Sequence, residues 1–258
     1  MKSSKITNGI NGEPKIPGDK SISHRSIIIP SISNGICEIQ NILESEDVMH
    51  TLNAFIKMGV NIKKTENKII IDGKGLNSLN KPTNDIYLGN SGTSARLLTG
   101  LLAAQNFDSR LIGDKSLSSR PMGRIANPLS LMKANIITNN GKLPLEIHGT
   151  ELVNTTVNIE VPSAQIKSGL IFAALNTKGK TIIIENSITR DHTEIMLEAF
   201  DADITIRKEK TKKIIEINGK KELKSKNIIV PSDLSSSAFF IVAALINDNS
   251  KITLKNIN

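Results

Sequence analysis

Four stretches of the chain begin at a serine and follow one plan, and this periodicity restricts the possible folds more than any other feature. Ser21 opens SISHRSIIIPSISNGICEIQNI, Ser91 opens SGTSARLLTGLLAAQNFDSRLIGD, Ser163 opens SAQIKSGLIFAALNTKGKTIIIEN and Ser232 opens SDLSSSAFFIVAALINDNSKITLKN, at intervals of 70, 72 and 69 residues. Each copy reads as a serine N-cap, an apolar helix, a Gly or Asn stop and a strand. A second half-motif follows at the same period over residues 47–62, 120–136 and 190–204, each an amphipathic helix running into a strand. Behind these lie KIIIDG, LPLEIHG and KIIEING, read as strands closing hairpins with glycine turns. Pro121 is expected to open the second helix of its unit. Pro30 falls within the first helix and should kink or end it, at a cost of ~3 kcal/mol if it were interior.

The repeating unit is therefore helix, strand, helix, strand, strand. Alternation of this kind predicts an α/β fold whose units pack about a shared core. Three complete units span about residues 17–230, and the fourth copy stops at Asn258 without its second helix or hairpin. A lone helix and strand cannot bury both their faces, so the chain is expected to be a fragment or to end where a second domain begins.

Composition removes several classes. With 38% hydrophobic residues the chain can bury a core, and its single cysteine, Cys37 in a strand-like stretch, supports neither a disulfide framework nor a cysteine metal site. No window approaches the about 20 apolar residues that cross a bilayer, and the start lacks a secretory h-region, which points to the cytoplasm. The formal charge of +8 would suit nucleic acid, but aromatic content is 3% with no Trp, which leaves little for base stacking. Much of the excess lies in residues 207–226, read as a solvated hairpin. The remaining positive charge suits small anionic ligands.

The helix starts are where such ligands would bind, because unpaired N–H groups and the helix dipole favour anions there. The first three copies add a cation one turn in, at Arg25, Arg96 and Lys167, and Lys20 precedes Ser21. In LGNSGTSAR, Gly89 and Gly92 are read as letting the backbone approach a bound anion. Arg120 and Arg124 flank Pro121, where a guanidinium could fork onto a phosphate or carboxylate or simply offset Asp114. RDHTE matches no zinc spacing; Asp191 and Thr193 are read as caps, Glu194 as a capping-box partner, and His192 and His24 as non-catalytic.

PGDKSISHR, GNSGTSAR, GDKSLSSRPMGR, VPSAQIKS, TRDHTE and VPSDLSSSAFF, in this order and spacing, resemble the 5-enolpyruvylshikimate-3-phosphate synthase family from about residue 12 to 258. The resemblance implies an inside-out α/β barrel of three repeated βαβαββ units plus the start of a second similar domain. Residues 17–230 would form the complete domain, while 1–16 and 231–258 would belong to the incomplete one. It also implies transfer of the enolpyruvyl group of phosphoenolpyruvate to the 5-hydroxyl of shikimate 3-phosphate, with release of phosphate, by addition and elimination. The implied enzyme is a cytoplasmic monomer on the route to chorismate and aromatic amino acids. It works on small molecules without metal, cofactor, nucleic acid or membrane.

Residue by residue, the resemblance makes Lys20 the lysine that touches both substrates and a candidate for proton transfer. Ser21, Arg25, Ser163, Gln165 and Arg190 would bind shikimate 3-phosphate, with Ala164 contributing backbone only. Asn90 and Gly92 would border phosphoenolpyruvate, Arg120 would grip its phosphate, and Gln165 would lie near both. The family's catalytic Asp, Lys-Glu-Arg helix and later arginine would lie beyond Asn258, so the chain alone is expected to bind shikimate 3-phosphate weakly and not to turn over. Because glyphosate occupies the phosphoenolpyruvate site in this family, Gly92 implies a glyphosate-sensitive full-length enzyme. Two other readings stay open, a UDP-N-acetylglucosamine enolpyruvyl transferase and a non-catalytic anion-binding module. The first usually carries a reactive cysteine in the loop of the second unit, and residues 110–124 contain none.

Overall fold

The structure, a computed structural model, describes residues 9–258; of the expected 1–16 segment, residues 1–8 lie outside the described residues. A short strand β1 (Asn11–Gly12) precedes three units. The first is α1 (Lys20–Ser31), β2 (Asn34–Gln40), α2 (Glu46–Lys57), β3 (Asn61–Lys64) and β4 (Lys68–Lys74). The second is β5 (Ile86–Tyr87), α3 (Gly92–Ala103), β6 (Asp108–Ile112), the short α4 (Lys115–Ser119), α5 (Gly123–Ser130), β7 (Asn135–Asn139) and β8 (Lys142–His148). The third is β9 (Thr156–Ile159), α6 (Ala164–Leu175), β10 (Lys180–Glu185), α7 (His192–Ala199), β11 (Ile204–Glu209) and β12 (Lys212–Asn218). The chain continues through β13 (Ile228–Ile229), α8 (Leu234–Leu245) and β14 (Lys251–Ile252).

Each unit builds a four-stranded sheet of one pattern, β5-β6-β8-β7 in the second and β9-β10-β12-β11 in the third. A leading strand runs parallel to its neighbour, and the rest of the sheet is antiparallel. In the first unit the leading strand comes from the far end of the chain, with β13 parallel to β2 through Ile228 and Ile39. The fold is thus α/β with repeated βαβαββ-like units. The leading strands of two to four residues are too short to show as a periodic pattern in sequence.

The first helix of each unit is buried on nearly every side. In α1 residues 23–31 are all buried, in α6 residues 166–175, and α3 is buried at ten of its twelve positions. Such burial tolerates hydroxyls only where they are bonded, and here they turn back onto their own helices: Ser31 to Ile27 O (2.7 Å), Thr99 to Ala95 O (2.6 Å) and Ser168 to Ala164 O (2.6 Å). The second helices bury one stripe each, as with Val48, Leu52 and Phe55 of α2. Each lies against the first helix of the next unit: α2 on α3, α5 on α6, and α7 on α1.

Several local expectations are corrected. The N-cap of α1 is Asp19, whose Oδ1 accepts from Ile22 N (2.7 Å), and that of α8 is Asp233; of the four repeated serines, Ser91 and Ser163 cap their helices and Ser21 and Ser232 do not. Pro121 falls between α4 and α5 rather than inside a helix, and α5 starts at Gly123. Pro30 stands in the last turn of α1, so it ends the helix. The glycines after KIIID, LPLEIH and KIIEIN are not hairpin turns. A Cβ at Gly73 would strike the carbonyls of Pro30 and Ser33, one at Gly149 those of Gln105 and Phe107, and one at Gly219 those of Ala174 and Thr177. Each hairpin thereby presses against the C-terminal end of its own unit's first helix.

β1 pairs in parallel with β14, so residues 11–12 lie beside 251–252. Helix α8 packs little: Phe239 is 80% exposed and Leu245 79%, and Ser237 is its only buried residue. No helix among the described residues is long and apolar enough to cross a membrane. The 207–226 stretch contains the β11–β12 hairpin, and Cys37 is buried in β2, where its Sγ donates to Lys226 O (3.0 Å) and burial pushes the thiol up to about 12.

Helices α3 and α6 cross at Gly100 and Gly169, where a Cβ on Gly100 would fall on the Gly169 carbonyl. Gly100→Ala should therefore cost about 3 kcal/mol or more of unfolding free energy in urea titrations, since backbone must move to admit the methyl. The same core holds His24, fully buried, whose Nδ1 shares a hydrogen bond with Thr51 Oγ1 (2.8 Å) and whose Nε2 has no partner. Burial, then Arg25 and Lys20, push its pKa down to about 3. The unfolded chain takes up this proton below pH 6.5 and the native one does not, so stability must fall as pH drops through that window. The expected slope grows from about 0.7 kcal/mol per pH unit at pH 6.5 to about 1.4 near pH 5. It should flatten in His24→Asn, leaving the smaller part from His192, which burial also lowers. A stability curve already flat in the wild type would mean that His24 is protonated.

Candidate functional site

The N-terminal ends of α1, α3 and α6 meet, laced together by side chains from all three units. His24 of α1 and Ser94 of α3 both bond to Thr51 of α2, at 2.8 and 2.6 Å, and Ser94 also bonds to the cap Ser91 (2.6 Å). Gln165 at the start of α6 donates to Thr93 Oγ1 (3.0 Å) and accepts from Arg96 Nη1 (3.0 Å). Arg25 crosses from α1 to the third unit: Nε donates to Thr193 Oγ1 (2.5 Å) and Nη2 to Ser168 Oγ (2.7 Å), while Nη1 returns to Ser21 O (2.8 Å).

Around this junction stand most of the predicted residues. Lys20 is the first residue of α1, half-exposed and paired with Asp47. Ser21 follows it, half-buried. Ser163 caps α6 through Ile166 N (3.4 Å), and Ala164 opens that helix. Gly92 opens α3, and a Cβ there would lie 2.7 Å from Arg96 Nη1 and 3.0 Å from Arg120 Nη1, so two guanidinium ends close over the bare backbone. Arg120 also donates to the exposed Asn90 Oδ1. Arg190, exposed before α7, is near enough that its charge depresses the proton affinity of Arg25 and His192.

Asp19 and Asp47 stand at this end, but its arginines lack carboxylate partners. Of seven arginines in the chain, Arg25, Arg96, Arg120, Arg124 and Arg190 have no carboxylate within 4.0 Å among the described residues, whereas Arg110 pairs with Asp85 and Arg207 with Glu216. Burial, opposed by Glu194, pushes Arg25 down to about 10, so it stays protonated at neutral pH. Burial and then the neighbouring Arg124 and Arg120 lower Arg96. Cations left unneutralised against helix N-termini form a site for multiply charged anions.

Several sequence expectations for single residues are corrected here. Lys167 is fully buried, held by Glu185 (3.0 Å) and Glu194 (2.8 Å), and faces no ligand. Glu194 is no capping-box partner and Asp191 makes no side-chain cap bond; both join Lys213, itself buried on β12, at 3.5 and 3.3 Å. Thr193 is engaged with Arg25. Gly89 is a turn residue at φ +54° lying under the His50 ring, not an open approach to an anion. Asp114 caps α4 through Leu117 N (2.7 Å) and does not offset Arg120. Sequence reasoning missed Thr193 and Ser168 as partners of Arg25, because residues 143 and 168 positions away carry no local signal.

Residues 4–258 match the family model of EPSP synthase (3-phosphoshikimate 1-carboxyvinyltransferase). The chain is 51% identical over 255 residues to a 3-phosphoshikimate 1-carboxyvinyltransferase of Ruthia magnifica subsp. Calyptogena magnifica, covering 98% of this chain and 58% of that protein. It is 47% identical over 260 residues to one from Streptococcus agalactiae serotype Ia, covering 100% and 60%. A solved EPSP synthase from Acinetobacter baumannii superposes with TM-score 0.90 at 43% identity, over 97% of this chain and 57% of that one. The chain thus spans about three fifths of the length of the curated relatives it matches. With six ordered motifs, the repeated α/β units and this likeness in agreement, the chain belongs to the EPSP synthase family.

Proposed function

We propose that this chain forms the shikimate 3-phosphate side of an enolpyruvyl transferase. The enzyme moves the enolpyruvyl group of phosphoenolpyruvate to the 5-hydroxyl of shikimate 3-phosphate and releases phosphate. The observation that carries the reading is the set of five arginines without carboxylate partners at the joined ends of α1, α3 and α6. Both substrates bring a phosphate and a carboxylate, and addition followed by elimination develops further charge that fixed donors can hold.

In this reading Ser21, Arg25, Ser163, Gln165 and Arg190 take shikimate 3-phosphate, with the backbone of Ala164. Arg120 takes the phosphate of phosphoenolpyruvate beside Asn90 and Gly92. Lys20 bridges the two and is the candidate proton donor to C3 of the enol, with Asp47 holding its ammonium in place. The units are proposed to close as an inside-out α/β barrel, for which the packing of α7 on α1 is the support. Residues 17–230 would be the three-unit domain, and 1–16 with 231–258 the beginning of a second, similar one. The whole enzyme would be a cytoplasmic monomer acting on small molecules.

Titration calorimetry of this chain tests the reading. Shikimate 3-phosphate should bind while UDP-N-acetylglucosamine and a short oligonucleotide do not. Arg25→Ala should raise the dissociation constant about thirtyfold or more, as expected when one partner of a buried charge pair is removed. Gly92→Ala should weaken phosphoenolpyruvate and glyphosate more than shikimate 3-phosphate, because the methyl meets the Arg96 and Arg120 ends directly and reaches Gln165 only through Arg96. Equal uptake of the oligonucleotide, or indifference to Arg25→Ala, would favour a general anion-binding module.

A further inference from the structure

Arg25 reaches the shared helix ends already held along one edge. Nε donates to Thr193 Oγ1 at 2.5 Å and Nη2 to Ser168 Oγ at 2.7 Å, and the two hydroxyl oxygens are 2.7 Å apart. Ser168 gives its own proton to Ala164 O (2.6 Å), so the proton between the hydroxyls belongs to Thr193. Each oxygen is then free to accept from the guanidinium, and both hydroxyl protons are used. Of the five N–H groups of an arginine, three are bound here, the third to Ser21 O, and two have no acceptor among the described residues.

The neutrality of the holder matters. A carboxylate at the same place would grip Arg25 more firmly and cancel the charge that an incoming anion needs. Acidic charge is present nearby but occupied: Glu194, next in the chain after Thr193, is fully buried with Oε1 on Lys167 (2.8 Å) and Lys213 (3.5 Å). It offsets the burial of Arg25 from a distance and makes no direct bond to it.

We propose that Thr193 and Ser168 are positioning residues, a pair of neutral hydroxyls on the third unit that fix Arg25 of the first by one edge and reserve its two remaining N–H groups for two oxygens of one anionic group of the substrate. This rests on the reading of Arg25 as a ligand of shikimate 3-phosphate. The hydroxyls do not touch the substrate; they act through the guanidinium.

Two measurements on the same variants separate the clamp from the substrate assignment. In ¹⁵N spectra of the ligand-free chain the Arg25 Nε–H should exchange slowly, lose that protection in Thr193→Val and keep it in Thr193→Ser. In calorimetry Thr193→Val and Ser168→Ala should each weaken shikimate 3-phosphate by about tenfold, the scale of one charge-assisted hydrogen bond, with Thr193→Ser near wild type. In an Arg25→Lys background, Thr193→Val should change nothing further. Wild-type affinity in Thr193→Val, or an equal loss in the Arg25→Lys background, overturns the proposal. A fast-exchanging Nε–H with normal binding overturns the clamp alone. A protected Nε–H in a wild-type chain that takes up no shikimate 3-phosphate overturns the substrate reading and the binding role together.

Discussion

The approach of α3 to α6 at Gly100 and Gly169 brings two backbones to a distance that no side chain survives, and most of the architecture depends on it. Helices this close, flanked by α1 and by the glycine-ended hairpins, have no face left for solvent. Only their ends stay open. At the C-terminal ends Gly73, Gly149 and Gly219 let the hairpins close over the last carbonyls. At the N-terminal ends Asp19, Ser91 and Ser163 each take up one backbone N–H, and there the arginines gather.

Two kinds of buried charge sit a few residues apart and are treated oppositely. Lys167 and Lys213 are fully buried among Glu185, Glu194 and the half-buried Asp191, so the interior of the third unit is close to neutral. Buried charges that cancel in this way are costly to separate and contribute little net stability, but they hold α6, α7, β10 and β12 in one arrangement. Arg25 is almost as buried, yet its protein partners are hydroxyls and a carbonyl. Desolvating a guanidinium with no carboxylate in direct contact is unfavourable, and this imbalance is what the proposed binding of an anion by Arg25 would relieve.

The units, their helices and the hairpins were legible in the sequence because each rests on a local period, three to four residues for helices and two for strands. So was the cluster of cations near helix starts. What local pattern cannot carry is pairing across units. Lys167 looked equivalent to Arg25 and Arg96 by position in the repeat, and only the fold reveals the two glutamates that neutralise it. The glycines behind each hairpin looked like turns because their backbone targets lie in another element. The first sheet draws its leading strand from residue 228, a separation at which two-residue strands leave no trace.

The polar contacts at the site link every pair of units: His24 and Ser94 through Thr51 for the first and second, Arg96 and Gln165 for the second and third, Arg25 and Thr193 for the third and first. Apart from the His24–Thr51 bond inside the first unit, none of these can exist within an isolated unit. An anion that binds here therefore recognises the docked arrangement and not its parts, and by mass action it stabilises that arrangement by about 2.7 kcal/mol at a hundredfold excess over its dissociation constant. In the proposed reading, binding and the assembly of the three units are one equilibrium, because the anion would meet arginines that the fold itself leaves without a carboxylate partner.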